Sequence, residues 1–323
     1  MSAVHAATLK RDRPGSVRLT QHILPGAKLT DFWAYLPTHS YIYIPTREMW
    51  PASAINGALP RVPVPGENPM PPSAWLDQKR AVQQAVWSPG EPEIIEDRVM
   101  AVAGWTPHPG AAVFNLYRPP APLPSANGED AKLWLEHLQR IYPEDWTHVL
   151  HWLAHRVQYP SVKCNQALVL GGMQGIGKDT LLEPVKRAVG PWNCQEISPQ
   201  QMLGRFNGWA KAVLVTMSEA RDLGDASRFS LYEHSKSYIA APPTVIRVDE
   251  KHLREHYVAN VLGLVITTNN ASDGLFLPAD DRRHFVAWSP CDRKDFGSGF
   301  WEDFWGYLER GGAAAVGPTS PQF

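Results

Sequence analysis

Residues 167–190, ALVLGGMQGIGKDTLLEPVKRAVG, constrain the fold more than any other stretch of the chain. ALVLGG is an apolar run that stops at glycine, the pattern of a buried strand, and the run from Gly175 to Gly190 has the pattern of a helix closed by glycine. Between them stands G-x-x-x-x-G-K, with Gly172, Gly177 and Lys178, and with Gly175 as an extra glycine. Strand, glycine-rich turn and helix in that order make a phosphate-binding loop. Glycines let backbone N–H groups turn inward around phosphate oxygens, the helix N-terminus adds partial positive charge, and the lysine reaches the β- and γ-phosphates. The candidate nucleotide contacts are Gly172, Gly175, Ile176, Gly177, Lys178, Asp179, Thr180 and Leu181. The motif ordinarily carries Ser or Thr after the lysine, whose hydroxyl ligates Mg²⁺; here Asp179 stands there, with Thr180 next. A carboxylate is a hard oxygen donor that also suits Mg²⁺, so Asp179, Thr180 or both complete the metal shell. The competing reading is that added negative charge beside the phosphates weakens binding and the site is degenerate.

From 161 to 290 apolar runs alternate with amphipathic stretches, which predicts an α/β domain built on a mostly parallel sheet with flanking helices. AVLVTMSEA (212–220) is a second apolar run, ending in an acid. An ATPase needs a carboxylate at the end of a strand next to the loop strand, to order Mg²⁺ and polarise the attacking water. Glu219 is the candidate, with Asp222 able to share the work; otherwise Glu219 starts a helix and has no metal role. GLVITTNN (263–270) is a third buried strand, and Asn269, preferred to Asn270, would position water beside the γ-phosphate, although asparagine also closes strands into turns. In PADDRRHFVAW (278–288), Arg282 and Arg283 are candidates to stabilise charge on a phosphoryl group from a neighbouring subunit. The alternative is a surface pair bridged to Asp280 and Asp281. IRVDEKHLREHYV (246–258) reads as two short strands around a charged tip that presents Lys251, His252 and Arg254 to nucleic-acid phosphates, or else as a solvated hairpin or helix turn.

The flanks are less specific. Residues 1–27 are polar and basic, a loose tail; 28–128 form a smaller aromatic- and proline-rich α+β domain, with strand candidates YIYIP (41–45) and AVFNLY (112–117) and a proline-rich loop at 60–73. APLPSANGED (121–130) signals a boundary. Residues 129–160 are a helical connector, since Leu133, Leu135, Leu138 and Ile141, then Val149, Leu150, Leu153 and Val157, recur at helical spacing. The ATPase domain spans 161–290, and 291–323 hold a helix around FWEDFWGYLERGG (300–312) and a tail. The 13 tryptophans are expected mainly to pack and anchor loops rather than to stack on bases. Lys and Arg number 31 against 32 Asp and Glu, which excludes a wholly basic nucleic-acid binder but not a local basic surface. The three cysteines are far apart and lack CxxC spacing, so neither a disulfide framework nor a zinc site is expected. No apolar run approaches the ~18 residues of a membrane span, and the N-terminus has no signal-peptide core. A soluble cytoplasmic protein with no membrane partner is expected.

Taken together, QGIGKDTLLEPVKRAVGPWN (174–193), SPQQMLGRFNGW (198–209), SEARDLGD (218–225) and LPADDRRHF (277–285) resemble the superfamily 3 helicase domain, an AAA+ branch, of phage and prophage primase-helicase proteins. FWAYLPTHSYIYIPTREMWP (32–51) and FNLYRPP (114–120) are similar to the segment before that domain, so the resemblance covers about 28–310. It implies that aspartate after the loop lysine is ordinary for the branch. It implies that Glu219 is the second acidic motif, Asn269 the sensor, Arg282 and Arg283 the arginine-finger region, and Lys251 and His252 the pair on a DNA-tracking hairpin. It further implies an ATP- and Mg²⁺-dependent helicase or translocase of phage or prophage replication, acting on single-stranded or forked DNA in the bacterial cytoplasm as a homo-oligomeric ring, a hexamer. No paired-carboxylate primase signature stands in residues 1–130, so polymerase activity is not expected. The short C-terminus, Asp179 and Ser218 motivate a different class of reading, a truncated remnant that binds nucleotide or DNA without turnover. A P-loop small-molecule kinase is a third.

Overall fold

The computed structural model describes residues 26–121, 131–218, 225–251, 255–270 and 275–312, the side chains of 225–227 excepted. The basic tail, apart from 26 and 27, most of the 121–130 boundary, and Glu219, Asp222, His252 and Arg254 lie outside the described residues. The chain forms two compact units, one of residues up to 34 together with 39–80, the other of 35–38 together with 81 onward.

In the first unit, strands β1 (Phe32–Tyr35), β2 (Ser40–Tyr43) and β3 (Glu48–Pro51) lie side by side, with β2 and β3 antiparallel from Ser40 opposite Pro51 to Tyr43 opposite Glu48. Helices α1 (Ala52–Ala58) and α2 (Pro72–Lys79) follow. Phe32, Tyr41, Ile42, Ile55 and Leu76 are fully buried, and Phe32, Tyr43 and Trp50 cluster with ring centroids 5.0–5.4 Å apart. The Tyr41 hydroxyl donates to Asp77 at 3.1 Å; burial, reinforced by that carboxylate, pushes its pKa up to about 12.

The second unit opens with short strands β4 (Ala81–Val82) and β5 (Gln84–Val86) and the long hairpin of β6 (Ile94–Ala101) and β7 (Gly104–Asn115). β7 is antiparallel to β6, with a bulge between Glu96 and Arg98, and parallel to β5. Two amphipathic helices come next. α3 (Lys132–Ile141) buries Trp134, His137, Leu138 and Ile141; α4 (Trp146–Gln158) buries Val149, Trp152, Leu153 and Arg156. Both sets run i, i+3, i+4, i+7, the spacing of one helix face.

The core of this unit is a five-stranded parallel sheet: β8 (Ala167–Gly171), β9 (Cys194–Ile197), β10 (Leu214–Ser218), β13 (Gly263–Thr268) and β14 (His284–Trp288). It is ordered β14-β8-β13-β10-β9. β8 and β13 are buried at every position, as strands covered on both faces must be. Helices α5 (Lys178–Val189), α6 (Pro199–Leu203) and α7 (Asp225–Ile239) connect the strands, and the antiparallel hairpin β11 (Val245–Val248) and β12 (His256–Ala259) stands between α7 and β13. α8 (Phe300–Tyr307) and a π-helical turn (Leu308–Gly312) close the described chain.

The fold is thus the α/β class expected, a P-loop domain on a parallel sheet with a smaller unit before it. The strands read at 167, 212 and 263, the helix closed by Gly190 and the hairpin around 246–258 all form. YIYIP supplies Tyr41–Tyr43 of β2, and AVFN of AVFNLY ends a strand that starts at Gly104. β9 was not foreseen: CQEI is short, polar and exposed at two of its four positions, with no period to mark it.

Candidate nucleotide-binding site

Parallel strands leave their carboxyl ends on one side of a sheet, and ligands bind there. Gly171, Ser218 and Thr268 end β8, β10 and β13 on that side. The loop after β8 has φ of +142° at Gly172, +83° at Gly175 and +88° at Gly177, all in the half of conformational space that disfavours side chains. Space enforces the same choice at both ends of the loop. A Cβ on Gly172 would stand 2.7 Å from Ser289 and 2.8 Å from Ile176, and one on Gly177 would stand 2.5 Å from Trp301 and 2.8 Å from His137 Nε2. Ile176 and Leu181 are fully buried.

Lys178, the first residue of α5, is 6% exposed. Its Nζ donates to the carbonyls of Gly172 and Met173, each at 2.8 Å, and to Asn269 Oδ1 at 2.7 Å. Asn269 can reach it because β13 pairs directly with β8, with Thr268 opposite Gly171. A cavity of about 560 Å³ opens over the loop, lined by Gln174, Gly175, Gly177, Lys178, Asp179 and Thr180, by Glu196, Ser218, Thr267 and Asn269 from strand ends, and by Arg293, Trp301 and Trp305. A hard divalent cation would find oxygen donors here: the Asp179 carboxylate, the Thr180 hydroxyl and the Glu196 carboxylate, which accepts a hydrogen bond from Ser218 at 3.3 Å. Among the described residues, no cluster of three His, Cys, Asp or Glu side chains has metal-site geometry. The three cysteines are free, and among the described residues no helix is long and apolar enough to cross a membrane.

One expectation needs correction. The acid-ending strand was placed next to the loop strand; instead β13 intervenes, and β10 is two strands from β8. The loop lysine therefore meets an amide, not a carboxylate, in the adjacent strand. Glu219 directly follows β10 and lies outside the described residues.

Arg282 is exposed, Arg283 is half-buried, and neither lines the cavity. The turn that carries them is fixed by Asp281. Its carboxylate accepts from the backbone N–H groups of Arg283 and His284 at 3.2 and 2.8 Å, lies 3.0 Å from His284 Nδ1, and accepts from the Tyr232 hydroxyl at 3.0 Å. Burial pushes the His284 imidazole below its ordinary range against the pull of Asp281. Lys251 stands exposed at the β11–β12 tip, away from the cavity. Ion pairs flank that tip: Arg205 pairs with Asp249 at 2.8 Å and Arg247 with Glu255 at 3.1 Å.

Sequence reasoning passed over several residues of the cavity: Gln174, Ser218 and Thr267 beside the loop and strand ends, and Glu196, Arg293, Trp301 and Trp305. It also missed His137 behind the loop. His137 is 1% exposed and ringed by Phe296, Phe300, Trp301 and Phe304 at 4.9–5.8 Å. Neither ring nitrogen has a well-formed hydrogen bond. Burial pushes its pKa down to about 4, against a weak opposite pull from the Gly177 backbone.

A family model described as "Family of unknown function (DUF5906)" matches residues 170–283: the end of β8, the loop, strands β9, β10 and β13, and the hairpin. No curated protein sequence matches the chain. Among solved structures, the apo C-terminal region of NrS-1 (305–718) superposes with a TM-score of 0.67 at 16% identity, covering 90% of this chain and 66% of that one. Two A-form apo structures of the same region give 0.63 at 17% identity, over 90% and 66%, and 0.62 at 16%, over 88% and 64%. The chain spans about two thirds of the length of those structures. At such identities the likeness is one of fold.

Proposed function

We propose that the chain is an ATP- and Mg²⁺-dependent DNA helicase or translocase of the superfamily 3 type, working in phage or prophage replication as a ring, a hexamer, on single-stranded DNA. The observation that carries this reading is the 2.7 Å contact between Lys178 Nζ and Asn269 Oδ1. It joins the phosphate-binding loop to the polar end of the neighbouring strand, so a group that meets the terminal phosphate also touches the residue that can sense its loss. Small-molecule transfer does not require that coupling; a motor does. Asp179 and Thr180 would hold the metal beside the phosphates, and the metal when bound would neutralise phosphate charge and orient it for in-line attack. Lys178 binds and orients the phosphate end, Asn269 positions water, and Glu219 is assigned the general-base role.

Arg282 and Arg283 are assigned to a neighbour's site. Their position outside this chain's own cavity supports that, since arginines acting in trans must point away from the loop of the chain that bears them. Lys251, with His252 and Arg254, is assigned to phosphate contact with the DNA strand, supported by its exposure at a hairpin tip flanked by the Arg205–Asp249 and Arg247–Glu255 ion pairs.

The test is ATP hydrolysis with and without single-stranded DNA, with Lys178→Ala as the control. DNA-stimulated turnover that Lys178→Ala abolishes is the expected result. A folded protein without turnover in either condition overturns the motor and favours a nucleotide-binding module; phosphate transfer to a nucleotide acceptor favours a kinase.

A further inference from the structure

The loop, Lys178 and the strand ends address only the phosphate end of a nucleotide. The cavity continues past them to α8, which presents two tryptophans, Trp301 and Trp305. Among the described residues, these are the aromatic side chains that line it. They are four residues apart, so they lie one above the other on a single helix face. The inward face of the same helix is carried by Phe304 and Leu308, also four apart, which are 0% and 1% exposed. Core packing therefore accounts for Phe304 and Leu308 but not for Trp305, which is 40% exposed and lines a cavity whose other side chains, Trp301 apart, are polar.

Trp301 is held before any ligand arrives. Its ring sits 5.2 Å from Phe296, 5.0 Å from Phe300 and 5.7 Å from His137, and its edge closes against Gly177. Arg293, by contrast, reaches over the phosphate loop, where its Cδ lies 3.2 Å from the point a Cβ on Gly175 would occupy. Charge is thus concentrated at the loop and aromatic surface at α8.

We infer that Trp301 and Trp305 form a stacking shelf for the base of a purine nucleoside triphosphate whose phosphates occupy the loop. This rests on the nucleotide reading above and names what its site recognises. Every base has a π-face, and the bicyclic purines offer the larger one, so a shelf of indoles favours purines over pyrimidines and distinguishes adenine from guanine weakly. Preorganisation of Trp301 by its aromatic neighbours lowers the ordering cost of binding.

The test measures equilibrium binding, with Mg²⁺ present, of ATP, GTP, CTP and inorganic tripolyphosphate to the full chain and to Trp305→Ala, Trp305→Phe and Lys178→Ala. Trp305 is partly exposed, so both tryptophan variants should fold, and Trp305→Phe keeps a ring. Expected are comparable ATP and GTP affinities, weaker CTP, an approximately 10-fold loss of ATP and GTP affinity in Trp305→Ala, substantial recovery in Trp305→Phe, and unchanged tripolyphosphate binding in both. Equal losses for ATP and tripolyphosphate, or no loss for either, overturn the shelf while leaving the loop reading intact. So does a loss confined to single-stranded DNA binding, which would make Trp305 a DNA contact. Failure of the loop reading is a separate outcome: the unmodified chain binds neither ATP nor tripolyphosphate, or Lys178→Ala changes neither.

Discussion

Replacing His137 by phenylalanine should remove a pH dependence from the stability of the P-loop domain. The imidazole is packed among four aromatic rings, both nitrogens lack a well-formed hydrogen bond, and its folded pKa is about 4. In the unfolded chain it returns to about 6.5. Between those values the unfolded state binds the extra proton, so stability is intact above about pH 6.5 and falls as pH drops toward 4. Integrating one group with those two constants gives a loss of about 2 kcal/mol between about pH 7.5 and pH 5, and a limit of about 3 kcal/mol below pH 4. His155 and His284 are also held below their ordinary range by burial and slope the same way, so the decisive quantity is the difference between the two proteins. Urea unfolding at several pH values should show the parent losing about 2 kcal/mol more than His137→Phe over that interval. The ring also lies directly behind Gly177, so acid should weaken nucleotide binding before it unfolds the domain. Parallel pH profiles for the two proteins, or a His137 NMR titration midpoint near 6.5, would refute the reasoning.

Further substitutions test other parts of the structure. Gly177→Ala must hold a left-handed backbone and drive a methyl group against Trp301 and His137; thermal or urea unfolding should show a loss of about 3 kcal/mol, and nucleotide binding should fall with it. Asn269→Ala should leave the folding midpoint nearly unchanged yet lower DNA-stimulated ATP turnover by about 100-fold, since it removes the amide that touches Lys178 without opening a core cavity; unchanged kcat would remove Asn269 from the mechanism. Arg156 is fully buried and donates to the Val261 and Val162 carbonyls; Arg156→Met should cost about 3 kcal/mol in urea unfolding, because those acceptors lose their donor, while single-site nucleotide affinity at neutral pH is retained.

Much of the P-loop domain was legible because its strands are buried on both faces. ALVLG, LVTMS and GLVITT are mostly apolar, buried runs, and runs of that kind between amphipathic stretches admit few architectures besides a parallel sheet. The α3 and α4 stripes were legible for the corresponding reason at helical period, down to the places of Leu138, Ile141, Val149 and Leu153. Strand order was not. Nothing in AVLVTMS or GLVITTN says which run lies beside β8, because order is decided by how the crossovers pack after the strands exist; that is why an acid-bearing strand was expected next to the loop where the asparagine-bearing one is found.

The candidate site divides along the same line. Its phosphate end is local: the glycine conformations, the lysine and the helix start all fall within 172–180, and each leaves a mark on the sequence because only certain residues fit there. Its other wall is assembled from a distance. Trp301 and Trp305 come from a helix more than a hundred residues further along the chain, and FWEDFWGYL has the same composition whether its tryptophans enter a core or line a cavity. What separates the two outcomes is the rotation of α8, set by Phe304 and Leu308 and by the rings that Phe296 and Phe300 place around His137. His137 itself reads as one polar residue in an apolar stripe, LWLEHLQRI, until the aromatic ring around it and Gly177 behind it are in place. A histidine kept neutral by burial against the glycine that starts α5 ties the stability of this wall to the shape of the loop, so the part of the site that the sequence hides also holds the readable part in position.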